Sequence, residues 1–146
     1  MRSELHELMR APYERIFDLA ADVERWPELV PHYRYVRRLP GPDRRFAMGA
    51  RRGPIPVRWE ALQRPLRAER RIEFEHTGGV TRGMHVAWRF EERGGATDVS
   101  IEHRLDLGWP LIGRLAADRV VGPQFIEAIA ARTLRRIREI AEGMDR

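Results

Sequence analysis

The chain has 146 residues, with 27 basic side chains, all Arg, against 22 Asp plus Glu, a net charge of +5. The absence of Cys excludes a disulfide scaffold, thiol catalysis and any Cys-held zinc or iron–sulfur site. A hydrophobic share of 42% is too apolar for a disordered chain, and the length fits one domain, 1–146, able to bury roughly two-thirds of its unfolded surface.

No apolar run reaches the ~18 residues of a membrane span, so no stable membrane insertion is expected. The opening MRSELHELMRAP lacks the apolar core of a signal peptide, and the expected location is the cytoplasm. The Arg residues are spread along the chain and mixed with acids, so charge alone does not point to DNA as a partner.

Residues 3–10 read as a first strand with weak alternation. Ala11-Pro12 opens a helix with Pro at its first position, where a missing N–H costs nothing. Ile16, Phe17, Leu19, Ala20 and Val23 give that helix an apolar stripe. Trp26-Pro27 starts a second short helical turn, closed by Pro31.

From about residue 33 to 107 the period becomes two. Val57, Trp59 and Ala61 share a face, as do Ile72, Phe74 and His76 on the next run. Met84, Val86, Trp88 and Phe90 follow, then Val99, Ile101, His103, Leu105 and Leu107. Alternation with charged residues on the other face predicts an antiparallel sheet with one wet and one buried side. Gly53-Pro54, Gly78-Gly79 and Gly94-Gly95 punctuate the runs, so consecutive strands are expected to pair as a meander.

After Trp109-Pro110 the spacing turns helical over 111–121, and Gly122-Pro123 breaks it. Over 124–142, Ile126, Ile129, Ala130, Thr133, Leu134, Ile137, Ile140 and Ala141 line one face of a long amphipathic helix ending near Gly143. The fold class is therefore α+β: a curved antiparallel sheet of six to seven strands around a C-terminal helix, with two short helices after the first strand. A sheet of six strands is about 25 Å wide and one helix about 10 Å across. One helix cannot tile such a face unless the sheet curls around it, and the curl leaves an apolar hollow. The largest apolar pocket is the default binding site.

This order of elements resembles the helix-grip superfamily of START lipid-transfer domains, the birch-pollen allergen fold and the polyketide cyclase/dehydrase group. Ala11-Pro12, the stretch Val23-Glu24-Arg25-Trp26-Pro27-Glu28-Leu29 and Tyr33 carry the best local match, to the start of single-domain aromatase/cyclases. Trp59, the Met84 to Phe90 strand and Gly95-Ala96-Thr97 also fit. The resemblance implies a catalytic cavity Tyr at Tyr33, able to donate a proton to an enolate. It also implies an Arg four residues beyond Trp59. That position holds Gln63, with Arg64 beside it, and alternation turns Arg64 outward unless a bulge re-aims it. Gln cannot supply the cation that stabilises an enolate.

His103 lies between Ile101 and Leu105 on the inward face, where an imidazole can bond a ligand or move a proton. Candidate catalytic residues are Tyr33, His103 and Arg64. Candidate ligand contacts are Trp26, Trp59, Gln63, Phe74, His76, Met84 and Trp88, with Phe46 a further apolar lining residue and Glu7 of ambiguous direction. Metal spacings, a G-x-S-x-G serine and nucleotide loops are absent, so no cofactor or metal is expected. The ligand class is a polyketide, lipid or quinone-like molecule. Three readings stay open: a cofactor-independent cyclase/dehydratase receiving its chain from an acyl carrier protein, a non-catalytic carrier or chaperone, and a ribosome- or RNA-associated module. The amphipathic stretch 105–121 is a candidate membrane-facing rim. A monomer and a homodimer are equally compatible with the sequence.

Overall fold

The computed structural model describes residues 2–79, 81–105 and 123–143, with side chains in the last stretch from 126 onward. Strands β1 (Arg2–Met9), β2 (Tyr33–Arg38), β3 (Arg45–Arg52), β4 (Ile55–Leu66), β5 (Arg71–Gly79), β6 (His85–Arg93) and β7 (Ala96–Arg104) form one sheet in the order β1-β7-β6-β5-β4-β3-β2. All pairs are antiparallel, and β2 to β7 run as the expected meander. β1 closes the far edge against β7. Helices α1 (Tyr13–Ala21) and α2 (Trp26–Leu29) follow β1, and α3 (Pro123–Ala141) is the long C-terminal helix. The expected helix over 111–121 lies outside the described residues.

Local chemistry accounts for the boundaries. Pro12 is the N-cap of α1, with an extended ψ of 149°, so the helix starts at Tyr13, one residue later than the sequence pattern placed it. Pro27 sits in the first turn of α2 and Pro123 begins α3, where a missing amide hydrogen is tolerated. α3 ends at a left-handed Gly143, φ 79°, whose N–H reaches the Ile140 carbonyl. Seven of the eight residues expected to face inward on α3 are buried; Ile140 is half-buried and lends its carbonyl to Arg15.

The two ends of the grip are filled differently. At one end α1 drives Tyr13 and Phe17 against Phe90, with ring centroids 5.5 to 5.7 Å apart. Met9, Ile16, Val99, Leu134 and Ile137 complete a solid core there, all at most 1% exposed. Tyr13 also donates to the Arg67 carbonyl at 2.6 Å and Thr97 to the Ala11 carbonyl at 3.0 Å, tying α1 to the sheet. The other end has no equivalent of α1 among the described residues.

One irregularity sets the side-chain directions of the middle strands. Glu60 pairs with Gly78 but Ala61 pairs with His76, so Thr77 is an extra residue in β5. β4 itself alternates without interruption: Val57, Ala61 and Gln63 are buried, Trp59 is half-buried, and Arg58 and Arg64 are exposed. The bulge thus lies on the strand opposite the one whose re-aiming would have brought Arg64 inward. Gly79, beyond the bulge, has φ 92°, and a Cβ there would lie 2.5 Å from the Arg58 carbonyl oxygen and 2.8 Å from Trp59 Cα.

Gly79→Ala is therefore expected to destabilise the fold by about 1–3 kcal/mol, through backbone strain and a clash with backbone atoms. Gly94→Ala, at φ 55° with open space around the new Cβ, should cost clearly less. Urea unfolding midpoints of the two variants measure the difference; equal losses would show that the Gly79 contact is not restrictive.

Candidate functional site

The end of the grip opposite α1 holds a cavity of about 80 Å³. Its floor is the inner face of the sheet: Met48, Val57, Trp59, Phe74, Val86, Trp88 and Ile101. Ile126, Ile129, Ala130 and Thr133 of α3 form the roof, and Trp26, Tyr33, Thr81 and Met84 close the sides. The aromatic wall is continuous. Trp26 lies 5.0 Å from Tyr33 and 6.0 Å from Trp88, and Tyr33 lies 6.0 Å from Trp59. Trp59 in turn stacks on His76 at 5.8 Å, with planes only 5° apart. Gly79 is the cross-strand partner of Trp59, so no side chain crowds that flank of the indole.

Three polar elements interrupt the apolar wall. His76 shares a 2.6 Å hydrogen bond, Nδ1 to Thr81 Oγ1, with the first residue of the described turn into β6. Burial, aided by nearby His103 and His85, lowers its pKa to about 3. His103 is buried with its Nδ1 unpartnered. Burial lowers it to about 4, against a weaker opposing pull from Glu127. Glu127 is itself held by Ser3, which donates to Oε2 at 2.7 Å from the β1 position paired with His103. Tyr33 is the third element. Burial raises its phenol above the ordinary value, and a hydrogen bond with Thr133 pulls the other way. Thr133 donates to the Ile129 carbonyl at 2.8 Å and contacts His32 Nε2 at 3.0 Å. His32 is lowered to about 4 by burial and then by the charge of Arg132.

Eight of the residues singled out by alternation and resemblance line this space: Trp26, Tyr33, Trp59, Phe74, His76, Met84, Trp88 and His103. Two do not. Gln63 is buried, but both polar atoms of its amide bond elsewhere, Oε1 accepting from Arg44 Nε at 2.9 Å and Nε2 donating to the Ala21 carbonyl at 2.9 Å. It ties α1 to β4 instead of facing the cavity. Arg64 lies on the outer face of the sheet, in a charged groove with Glu73, Glu75, His85 and Arg89. The described lining therefore contains no guanidinium. Phe46 is core, with Arg38 and Arg44 beside its ring, and Glu7 faces α3, where Arg138 pairs with it at 2.6 Å. Thr81 and the hydroxyl of Thr133, which His32 contacts from outside the lining, escaped sequence reasoning as polar groups of the site. Thr133 alone carried a signal, as the one polar residue in the apolar stripe of α3. Among the described residues no group of His, Asp and Glu is placed to hold a metal ion.

The three imidazoles make stability depend on pH with a defined sign. Their folded pKa values lie below the ordinary 6.5, so the unfolded chain binds more protons than the native one as pH falls below 6.5. Their contribution is complete above that value and is lost progressively toward the folded values of about 3 to 4. As pH falls from 6.5 toward about 4.5, unfolding free energy is expected to decrease. His103→Asn should flatten that slope by up to about 1.4 kcal/mol per pH unit. Chemical denaturation across the window checks it; an unchanged slope would show that His103 titrates normally in the folded chain.

Comparison with known proteins agrees with this geometry. A search of the curated proteins found no match. Among solved structures, a protein from Thermus thermophilus superposes with a TM-score of 0.81 at 20% identity, covering 100% of both chains. The Zhui aromatase/cyclase from Streptomyces sp. R1128 gives 0.79 at 16% identity, over 97% of this chain and 93% of that one. A START superfamily protein from Mycobacterium smegmatis gives 0.67 at 16% identity, over 98% and 95%. These likenesses establish the helix-grip fold. Matched by the family model over residues 9–129, the chain belongs to the family described as polyketide cyclase/dehydrase and lipid transport.

Proposed function

We propose that the protein binds a small apolar molecule, polyketide, lipid or quinone-like, at the hollow end of its grip. The observation that carries this reading is the uneven filling of the fold: one end is plugged by α1, while the other leaves a cavity walled by three Trp, Tyr33 and two imidazoles. Family membership and the two START and aromatase/cyclase likenesses support it. Rigid rings offer stacking area at small entropic cost, which suits a flat or conjugated guest. About 80 Å³ accommodates only part of a drug-sized ligand, for which pockets of about 300–1,000 Å³ are usual. Binding on this reading widens the space by moving side chains such as Met84 and the half-buried Trp59.

A second reading, cofactor-independent cyclisation or dehydration, is favoured by one observation, the unpartnered Nδ1 of His103 inside the cavity. In that chemistry the cavity folds a poly-β-ketone so that an enol carbon meets a ketone, and holding the two ends together supplies much of the rate. His103 Nδ1 takes a proton from the substrate carbon, and the Tyr33 hydroxyl donates to the developing enolate oxygen. An imidazole whose conjugate acid titrates near 4 is a weak base, and the described lining offers no cation for the enolate. Both facts favour binding as the primary role.

Native mass spectrometry of the purified protein is the direct test. A retained apolar molecule is expected, lost from Trp59→Ala while the circular dichroism melt stays within a few degrees of wild type. Unfolding of Trp59→Ala would make that indole a core residue and remove it from the site. Where a cyclisation assay exists, His103→Ala should abolish turnover; retained turnover would dismiss the catalytic reading and leave the binding one.

A further inference from the structure

The charge of this protein is not evenly placed. Residues 34–58 hold eight Arg and one acid, Asp43, and the remainder of the chain holds 19 Arg and 21 carboxylates. Strand register then sorts the cations. Tyr33 pairs with Ala50, Arg51 with Pro56, Arg52 with Ile55, and Trp59 with Gly79. The start of β2, the β3–β4 turn and the β5–β6 connection therefore meet at one end of the sheet. The Arg51 N–H bonds the His32 carbonyl at 3.0 Å, stitching two of these segments together. Residues 30–34, 49–58 and 78–85 contain five Arg (Arg34, Arg51, Arg52, Arg58 and Arg82) and no Asp or Glu. All five side chains are exposed.

The same end carries an apolar tip. Pro54, Ile55 and Pro56 are exposed at the β3–β4 turn, with Ile55 42% accessible, one of two large hydrophobics so exposed among the described residues. Arg51 and Arg52 precede the tip and Arg58 follows it. The cavity lies behind it: Val57, Tyr33, Thr81 and Met84 belong to these segments and line the hollow.

We propose that this end of the sheet docks on an anionic lipid bilayer, with Ile55 entering the headgroup layer and the five Arg pairing with lipid phosphates. A cationic surface alone fits any polyanion. The prolyl-flanked Ile at its outermost turn singles out the bilayer, since nucleic acid and acidic proteins offer phosphates or carboxylates but no greasy layer beneath them. Arg suits the role because its planar fork bonds two phosphate oxygens at once. Among the described residues no helix is long and apolar enough to cross a membrane, so the contact is peripheral. The surface stands independently of the cavity reading. Together they place the end of the fold that holds the hollow against the phase in which an apolar guest is concentrated.

Vesicle flotation tests it. The full chain is expected to float with vesicles of phosphatidylcholine and phosphatidylglycerol in equal parts, not with phosphatidylcholine alone, and to be released by salt. Ile55→Ser and the pair Arg51→Glu with Arg58→Glu should each lower the bound fraction about tenfold. Arg135→Glu, an exposed reversal on α3, should leave it unchanged. All substituted side chains are exposed, and thermal melts confirm that the variants fold. Equal binding to both vesicle types, variants that bind like wild type, or capture of RNA but not of vesicles would each overturn the proposal. Loss of vesicle binding with a ligand still retained in native mass spectrometry overturns docking and leaves the cavity reading in place. Docking without any retained ligand does the reverse.

Discussion

The constraint on which the molecule depends is one of area. Seven strands at ~4.8 Å spacing present an apolar face about 29 Å wide, and α3 is about 10 Å across. The sheet bends around the helix, but bending cannot bring every inward side chain into contact with it. The chain solves half of this problem with α1, whose Tyr13 and Phe17 meet Phe90 and fill the space under the second half of α3. Nothing described performs that service for the first half. Among the described residues the cavity is thus the part of the apolar face that α1 does not reach.

The polar groups in the hollow are arranged to stay neutral. His76 and Tyr33 each have a Thr hydroxyl for a partner, and His32 shares the one that serves Tyr33. Charging His76 or His103 would strand a cation in the apolar lining, and burial is the largest cause of the shift in all three imidazoles. His103 differs in having an orphaned nitrogen, and a buried donor or acceptor left unpaired is costly unless a guest completes it. The site therefore favours neutral guests with few polar atoms, held by shape and stacking with a hydrogen bond or two fixing orientation.

Charge is segregated from that interior. Buried Gln63 takes Arg44 at the opposite end of β3 from the Ile55 turn, and Arg64 and Arg89 sit on the outer face among carboxylates. The five Arg around the Ile55 tip have no acidic residue in their own segments. One end of the grip is thus apolar within and cationic without.

Much of this architecture is legible in the linear chain. A period of two from β2 to β7 and a period near 3.6 in α1 and α3 are local properties, because each backbone geometry dictates which neighbours share a face. That is why Trp59, Phe74, His76, Met84, Trp88 and His103 could be picked out in advance as inward-facing, and why Arg64 could be read as outward unless a bulge intervened; Trp26 and Tyr33 are carried by the family resemblance instead. Pairing between strands is a different kind of information. The extra residue at Thr77 belongs to β5 and not to β4, a choice that leaves Arg64 outside. Gln63 is inward yet captured by Arg44 and the Ala21 carbonyl, partners far from it in sequence. The grouping of Arg34, Arg51, Arg52, Arg58 and Arg82 at one end exists only once register is fixed. Alternation determines which side of the sheet a residue faces; only the assembled fold decides what it meets there, because contacts between distant segments depend on register and packing that no local pattern encodes.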